Sequence, residues 1–266
     1  MTTVLKLSGE LLDDAAAMRA MAAAASALAR KGPLVVVHGG GRAIDAELRA
    51  RGLEPKFVDG LRITDASALD VVVSVLAGRT NTAFVAALGS AGSRAVGLTG
   101  ADAGTGLSAR APVFKIAGGK EVDLGLVGQP LDASPALVVD LLRLGYVPVI
   151  ASIGVTASGE LLNVNADTLA GHLAGSLSAR RLIIAGGTAG VLDGDGNRIP
   201  ELTLTRVDAM ISSGEAHSGM VAKLAACRAA IARGVADVSI VSGRDIKDFS
   251  EARGTVVLPL STGVTA

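Results

Sequence analysis

Hydrophobic residues gather along this chain in short runs with almost no polar alternation, the pattern of strands buried on both faces. Val4-Leu5-Lys6-Leu7 is the first such run, with one lysine near its C-terminal end. Residues 33–37 form the second and lead straight into His38-Gly39-Gly40-Gly41. Between them, 13–30 is alanine-rich, with Met18, Met21 and Leu28 on one helical face. A second helix is predicted from 42 to about 51. The chain thus opens as strand, helix, strand, glycine turn, helix, which is a parallel α/β beginning.

Residues 56–58 and 61–63 flank Asp59-Gly60 and predict a hairpin. The pattern then predicts a long helix over 66–88, capped at Thr64 or Asp65, and a buried strand over 94–98. Short apolar pieces at 113–116 and 122–126 suggest hairpins within a glycine-punctuated stretch, 102–128. A helix over 135–144, stopped by Gly145, precedes a buried strand at 146–150. The second half predicts helices over 166–177, 207–213 and 218–233, with a turn-rich segment at 190–195. Its strands are 182–184, 238–241 and an edge strand at 255–258. No linker or repeat divides the chain. One continuous sheet in a single domain, 1–266, is expected, with an N-terminal lobe over about 1–155 and a C-terminal lobe over about 156–266.

Composition narrows the function. At 266 residues and 50% hydrophobic content a large core is available. Lys+Arg and Asp+Glu are both 25, so the net charge is zero, and no basic run marks a nucleic-acid surface. Aromatics are 2%, too few for base-stacking platforms. A single cysteine, Cys227, excludes a disulfide framework or a cysteine-built zinc site. The first residues do not read as a signal peptide, and the longest apolar runs fall short of a membrane span of ~20 residues. A cytoplasmic protein without membrane association is expected.

Two glycine turns, Ser8-Gly9 and Gly39-Gly40-Gly41, close the first two strands. Ligands of parallel sheets sit beyond the carboxyl ends of the strands. A helix N-terminus there offers unpaired N–H groups to an anion. Tight βα turns would use the same glycines. Neither turn spells G-x-G-x-x-G, and G-x-x-x-x-G-K-[ST] is absent. Lys6, inside an apolar strand, needs a partner or must snorkel to the strand end. Lys223, early in a helix, sits where the dipole does not favour a cation. A polyphosphate would account for both lysines; a solvated Lys223 is the plain alternative. Asn163 and Asn165 share a side of an extended segment, and Asp167 lies in the next helical turn. These residues read either as caps or as amides for a polar substrate with a carboxylate that holds the lysines. Arg62, between Leu61 and Ile63, offers a fork that suits a carboxylate, or a surface ion pair with Asp59 or Asp65. His38 reads as core or turn packing.

Lys6-Leu7-Ser8-Gly9, Val37-His38-Gly39-Gly40-Gly41, Gly60-Leu61-Arg62-Ile63-Thr64-Asp65 and Asp123-Leu124-Gly125-Leu126-Val127-Gly128 occur in that order. Ile153-Gly154, Asn163-Val164-Asn165-Ala166-Asp167, Gly190-Val191-Leu192-Asp193 and Gly219-Met220-Val221-Ala222-Lys223 follow. As a set they resemble the amino acid kinase family over nearly the whole chain. The resemblance implies a three-layer α/β sandwich, an open, mostly parallel sheet with helices on both faces. It implies amino-acid substrate in the N-terminal lobe and ATP in the C-terminal lobe. The reaction implied is ATP-dependent phosphorylation of the side-chain carboxylate of N-acetyl-L-glutamate, in arginine biosynthesis, with Mg2+ held mainly by the phosphates.

Carried over by motif, Lys6 and Lys223 would contact the transferring phosphoryl group and Asp167 would orient them. Gly9, Gly40 and Gly41 would bind phosphate oxygens, Gly40 and Gly41 lying beside the substrate as well. Arg62, Asn163 and Asn165 would hold the acyl amino acid. Two alternatives are a kinase of a carrier-bound aminoadipate or glutamate, and a non-catalytic amino-acid-sensing domain. Three departures from the pattern stand out. Ser8 stands for the first of two glycines. Gly186-Gly187 stand for a Ser/Thr-Asp pair, so no carboxylate is expected there. Ser218 replaces Gly or Asp before Gly219-Met220.

The 66–88 segment carries Leu69, Val71, Val72, Val73, Val75, Leu76, Phe84 and Val85 over more than one face. A twin helix across a two-fold axis would cover the second face, so a homodimer is expected. With three residues ahead of Val4, neither a preceding helix nor sensitivity to L-arginine is expected.

Overall fold

The computed structural model describes residues 1–115, 121–217 and 219–259. β1 (Thr3–Leu7) leads through a 3-10 turn (Gly9–Leu11) to α1 (Ala15–Ala29), β2 (Leu34–His38) and α2 (Gly41–Ala50). The hairpin is β3 (Phe57–Val58) and β4 (Leu61–Arg62); its turn residues Asp59 and Gly60 take φ of 45° and 80°. Two successive positive φ angles match the strands' twist, which is why Asp-Gly serves here. α3 (Ala66–Val73), a π-helical turn (Ser74–Thr80) and α4 (Asn81–Ser90) then follow without a break. β5 (Ala95–Thr99), β6 (Ser108–Arg110), β7 (Phe114–Lys115), β8 (Glu121–Val122) and β9 (Val127–Pro130) lead to α5 (Ala136–Arg143). Next come β10 (Val147–Ala151), β11 (Ile153–Val155), β12 (Leu161–Val164), α6 (Ala166–Ser176) and β13 (Arg181–Gly186). β14 (Glu201–Thr203), α7 (Leu204–Ser212), α8 (Gly219–Ala232), β15 (Asp237–Ser242) and β16 (Gly254–Leu258) complete the described chain.

Among the described residues the main sheet has eight strands in the order β14-β16-β15-β13-β1-β2-β10-β5, parallel except where β15 meets β16. Strands that precede residue 152 lie on one side and those that follow residue 180 on the other, joined where β1 pairs with β13. Alternate side chains of β1 and β2 serve opposite faces. Val4, Val35 and Val37 join a core with Leu169 and Leu173 of α6 and Leu224 and Cys227 of α8. Leu5, Leu7 and Val36 join a second core with Met21 and Leu28 of α1 and Phe84 and Leu88 of α4. Each such side chain contributes about 1.5–3 kcal/mol by leaving water, which fixes helices on both faces of the sheet.

Several expectations change. The sheet is not single: β11-β12-β9-β6 forms a separate four-stranded sheet beside the main one. Of its members, β11 and β12 are too short to stand out, with Gly154 inside the first and the Gly159 turn between them. The 94–98 run is not buried. β5 pairs only with β10, is the last strand of its sheet, and is half-exposed. The 255–258 strand is not the edge, because β14 pairs outside it. Ile116 and Ser218 lie outside the described residues, so the strand end and the substitution noted there are not placed.

The helical rod Ala66–Ser90 spans 25 residues and is long and apolar enough to cross a membrane by length and composition, unlike the shorter runs legible in the sequence. Most of its large apolar residues are nevertheless turned into the fold. Val71, Val72, Val75, Leu76, Phe84 and Leu88 are buried, while its exposed side carries residues such as Ser67, Asp70, Ser74, Arg79 and Ala83. Leu69, Val73 and Val85, which also suggested a second apolar face, stay half-buried.

Candidate active site

The parallel strands β1, β2 and β13 end together, and helices begin just beyond them. α6 starts here because Asn165 caps it: its Oδ1 accepts from the Asp167 and Thr168 N–H groups at 2.9 and 3.1 Å. That cap sets Asp167 in the first turn, where the dipole favours a carboxylate. α2 starts at Gly41 with Gly40 as its cap residue. A cavity of about 240 Å³ opens between these elements, lined among others by Lys6, Gly9, Gly40, Gly41, Arg62 and Asp167.

Lys6 points to the α6 side of the sheet and is 4% exposed. Its Nζ lies 2.8 Å from Asp167 Oδ1 and donates to Ser8 Oγ at 2.9 Å. Lys223 Nζ lies 3.8 Å from Asp167 Oδ2 and donates to the Gly219 carbonyl at 3.4 Å. One buried carboxylate therefore lies between two ammonium groups, a cluster with net positive charge beside the cavity. Burial holds the Lys6 pKa below the ordinary lysine value, against the pull of Asp167. The partner that Lys6 needed inside its strand is Asp167.

The two glycine turns touch. A Cβ built on Gly9 would stand 2.5 Å from Gly40 Cα and 2.9 Å from its N. Only glycine lets the two backbones approach this closely. The cavity wall is thus made of main chain, with the first N–H groups of α2 beside it.

Arg62 lies across the cavity with its side chain 8% exposed. Its partner is neither Asp59 nor Asp65 but Asp45 of α2, at 2.5 Å from Nη2. The guanidinium stacks on Phe57, 4.6 Å from the ring centroid. Nη1 is buried with no hydrogen-bond partner among the described residues. A buried N–H donor left open is costly, and the Arg62 side chain that carries it belongs to a cavity-lining residue. Asn163 donates to Thr64 Oγ1 at 3.0 Å, which orients its amide; Asn165 also lines the cavity, but its oxygen is used in the cap.

Sequence reasoning missed Asp45, because a single acidic residue on a helix carries no signal of a partner 17 positions away. It also missed a carboxylate at Gly187. Glu10 Oε1 accepts the Gly187 N–H at 2.6 Å, and Oε2 takes Arg42 Nη2 at 3.0 Å. A Cβ on Gly187 would stand 2.7 Å from Oε1. The place expected to lack a carboxylate therefore has one, supplied from the β1 turn.

Fold and site together define a class: an α/β protein whose basic, glycine-walled cavity at the strand ends suits a phosphorylated ligand. The amino acid kinase family profile matches residues 1–242, and the chain belongs to the amino acid kinase family. It is 41% identical to the acetylglutamate kinase of Acidiphilium cryptum, over 79% of this chain and 72% of that one. It is 38% identical to the acetylglutamate kinase of Methanoculleus marisnigri, over 91% of this chain and 86% of that one. Among solved structures, N-acetylglutamate synthase from Neisseria gonorrhoeae, complexed with coenzyme A and N-acetyl-glutamate, superposes with a TM-score of 0.81. Its identity is 24%, and the match covers 97% of this chain and 59% of that one. Giardia carbamate kinase superposes with a TM-score of 0.69 at 15% identity, covering 97% and 98%. The solved structures speak for the fold alone.

Proposed function

We propose that this chain is an acetylglutamate kinase, transferring the γ-phosphoryl group of ATP to the side-chain carboxylate of N-acetyl-L-glutamate in arginine biosynthesis. The observation that carries the reading is one cavity lined by Lys6 and Asp167 on one side and by Arg62 on another, with Lys223 joined to it through Asp167. The relatives named above supply the substrate.

In this reading Arg62 holds the α-carboxylate of the acyl amino acid, with its fork already set by Asp45 and Phe57. Asn163 binds the acyl amino acid through the amide groups that Thr64 leaves available. The side-chain carboxylate then faces the lysines. It is ionised at neutral pH and needs no general base. One of its oxygens bonds to the γ-phosphorus while the bond to the bridging oxygen of ADP breaks, and ADP leaves with that electron pair. Lys6 and Lys223 neutralise the charge on the phosphoryl oxygens, and the Gly9, Gly40 and Gly41 N–H groups orient them. Asp167 keeps the two ammonium groups apart and aimed. Mg2+ would be carried mainly by the nucleotide phosphates. The same proposal places the acyl amino acid in the N-terminal lobe, ATP in the C-terminal lobe, the chain in the cytoplasm, and two copies in a homodimer.

The test incubates the full chain with ATP, Mg2+ and a panel of free and acylated amino acids, trapping acyl phosphate as hydroxamate. Hydroxamate with N-acetyl-L-glutamate, and far less with glutamate or aminoadipate, is the expected result. Turnover of a different acyl acceptor, or none with any, overturns it. Light scattering during size exclusion tests the dimer.

A further inference from the structure

His38 is fully buried at the end of β2, one residue before the glycine turn. Asn81 begins α4 and is also buried. Its Nδ2 stands 2.9 Å from the Val149 carbonyl oxygen and 3.1 Å from His38 Nε2. An amide nitrogen only donates. The Val149 carbonyl only accepts, so the orientation of the amide follows from its partners, with oxygen on the far side. His38 Nε2 must therefore accept, and a neutral imidazole that accepts at Nε2 carries its proton on Nδ1. His38 Nδ1 lies 3.2 Å from the Gly39 carbonyl oxygen, which again only accepts. Both contacts demand the same tautomer. Burial pushes the imidazole down to about 4, so this neutral form holds at physiological pH.

The consequence for the turn follows from peptide planarity. The Gly39 carbonyl and the Gly40 N–H belong to one rigid unit and point in opposite directions. Holding the carbonyl on His38 aims the Gly40 N–H away from the imidazole. The π-helical turn braces the same place: a Cβ on Gly40 would stand 2.8 Å from Leu76 Cδ2 and 3.8 Å from Thr80 Oγ1. By widening the helix for one turn it lets Leu76 and Thr80 face Gly40 while Asn81 reaches β2 and β10. Gly97 of β5 makes room, since any Cβ there would collide with Asn81 Oδ1.

We infer that Asn81 is a positioning residue: it fixes His38 as the Nδ1–H tautomer, and His38 in turn fixes the Gly39–Gly40 peptide. What that peptide binds rests on the function proposed above; the tautomer does not. The test uses the full chain labelled with nitrogen-15. The imidazole spectrum of His38 should show a protonated Nδ1 and a bare Nε2. Asn81→Asp sets an acceptor against Nε2 and should move the proton there. Asn81→Ser removes the clamp without burying a charge, and serves if the first variant does not fold. In either variant the Gly40 amide should shift and exchange faster, and kcat should fall about tenfold or more, on the scale of a lost positioning contact. His38→Asn keeps a donor near the Nδ1 position and should turn over about tenfold faster than His38→Leu, which keeps bulk but no donor.

A wild-type His38 protonated on Nε2 overturns the inference. So does an Asn81→Ser protein with the parent's tautomer, Gly40 exchange and turnover. If no acyl acceptor is turned over, the proposed function fails, and the tautomer and Gly40 measurements still decide this inference.

Discussion

Gly9→Ala puts the contact between the two glycine turns to a direct test. The new Cβ would stand 2.5 Å from Gly40 Cα and 2.9 Å from Gly40 N. Both neighbours are backbone, so no side chain can swing aside. Ordinary contact begins near 3.4 Å, and the turns must part by about 1 Å. A displacement of that size at a reacting centre costs roughly a hundredfold in kcat/KM, or about 2.7 kcal/mol of transition-state stabilisation. Overpacking should also lower stability by ~1–3 kcal/mol. Gly41→Ala is the matched comparison: a Cβ there meets nothing within 4 Å, and the residue is already helical. Its stability should be equal or slightly higher. The assay is hydroxamate formation at varied ATP and N-acetyl-L-glutamate, with urea melts on each variant. A Gly9→Ala enzyme within twofold of the parent would refute the reasoning, because the turns would then not need their present spacing.

Lys6→Met and Lys223→Met should each lower kcat by roughly two to four decades. They should differ in stability. Lys6→Met strands the buried Asp167 and should cost about 3–5 kcal/mol, whereas Lys223→Met, more exposed and 3.8 Å from that carboxylate, should cost less; equal urea midpoints would contradict the pairing. Arg62→Lys should raise the KM of the acyl amino acid far more than that of ATP, because an ammonium cannot hold Asp45 and a second carboxylate with one planar fork; the reverse split in steady-state kinetics would exchange the two binding sites. Stability should fall with acid between pH 6.5 and about 4, because the folded His38 binds its proton more weakly than the unfolded one. The loss is on the order of 3 kcal/mol, and His38→Asn should flatten that limb of the melting curve.

The parallel α/β beginning was legible because strands buried on both faces have no alternation to confuse, and because Asp14 and Asp65 cap their helices with ordinary chemistry. The 94–98 run misled for the same reason: Val96 and Leu98 look like core, and nothing local tells a strand that its second neighbour is missing. The π turn was invisible because one extra residue in 25 barely disturbs the apolar spacing of the rod. Lys6, Arg62 and Asp167 stood out as charges in unusual places. The partner of Arg62 did not, since Asp45 lies 17 positions away and meets it only in the fold. Asp167 and Asn165 were open to two readings, and the structure shows Asn165 as the cap and Asp167 as the partner of both lysines.

Glu10 and Gly187 also constrain the order in which this site can change. A carboxylate introduced at 187 while Glu10 remains would put its Cβ 2.7 Å from an existing carboxylate oxygen and set two like charges side by side. Removing Glu10 first leaves the Gly187 amide without its acceptor and Arg42 with Asp13 alone. Either single step passes through a worse protein, and only the pair of changes restores one carboxylate at the same spot. Two residues 177 positions apart thus behave as a single heritable unit, and a library that varies them one at a time would discard both halves of a workable exchange.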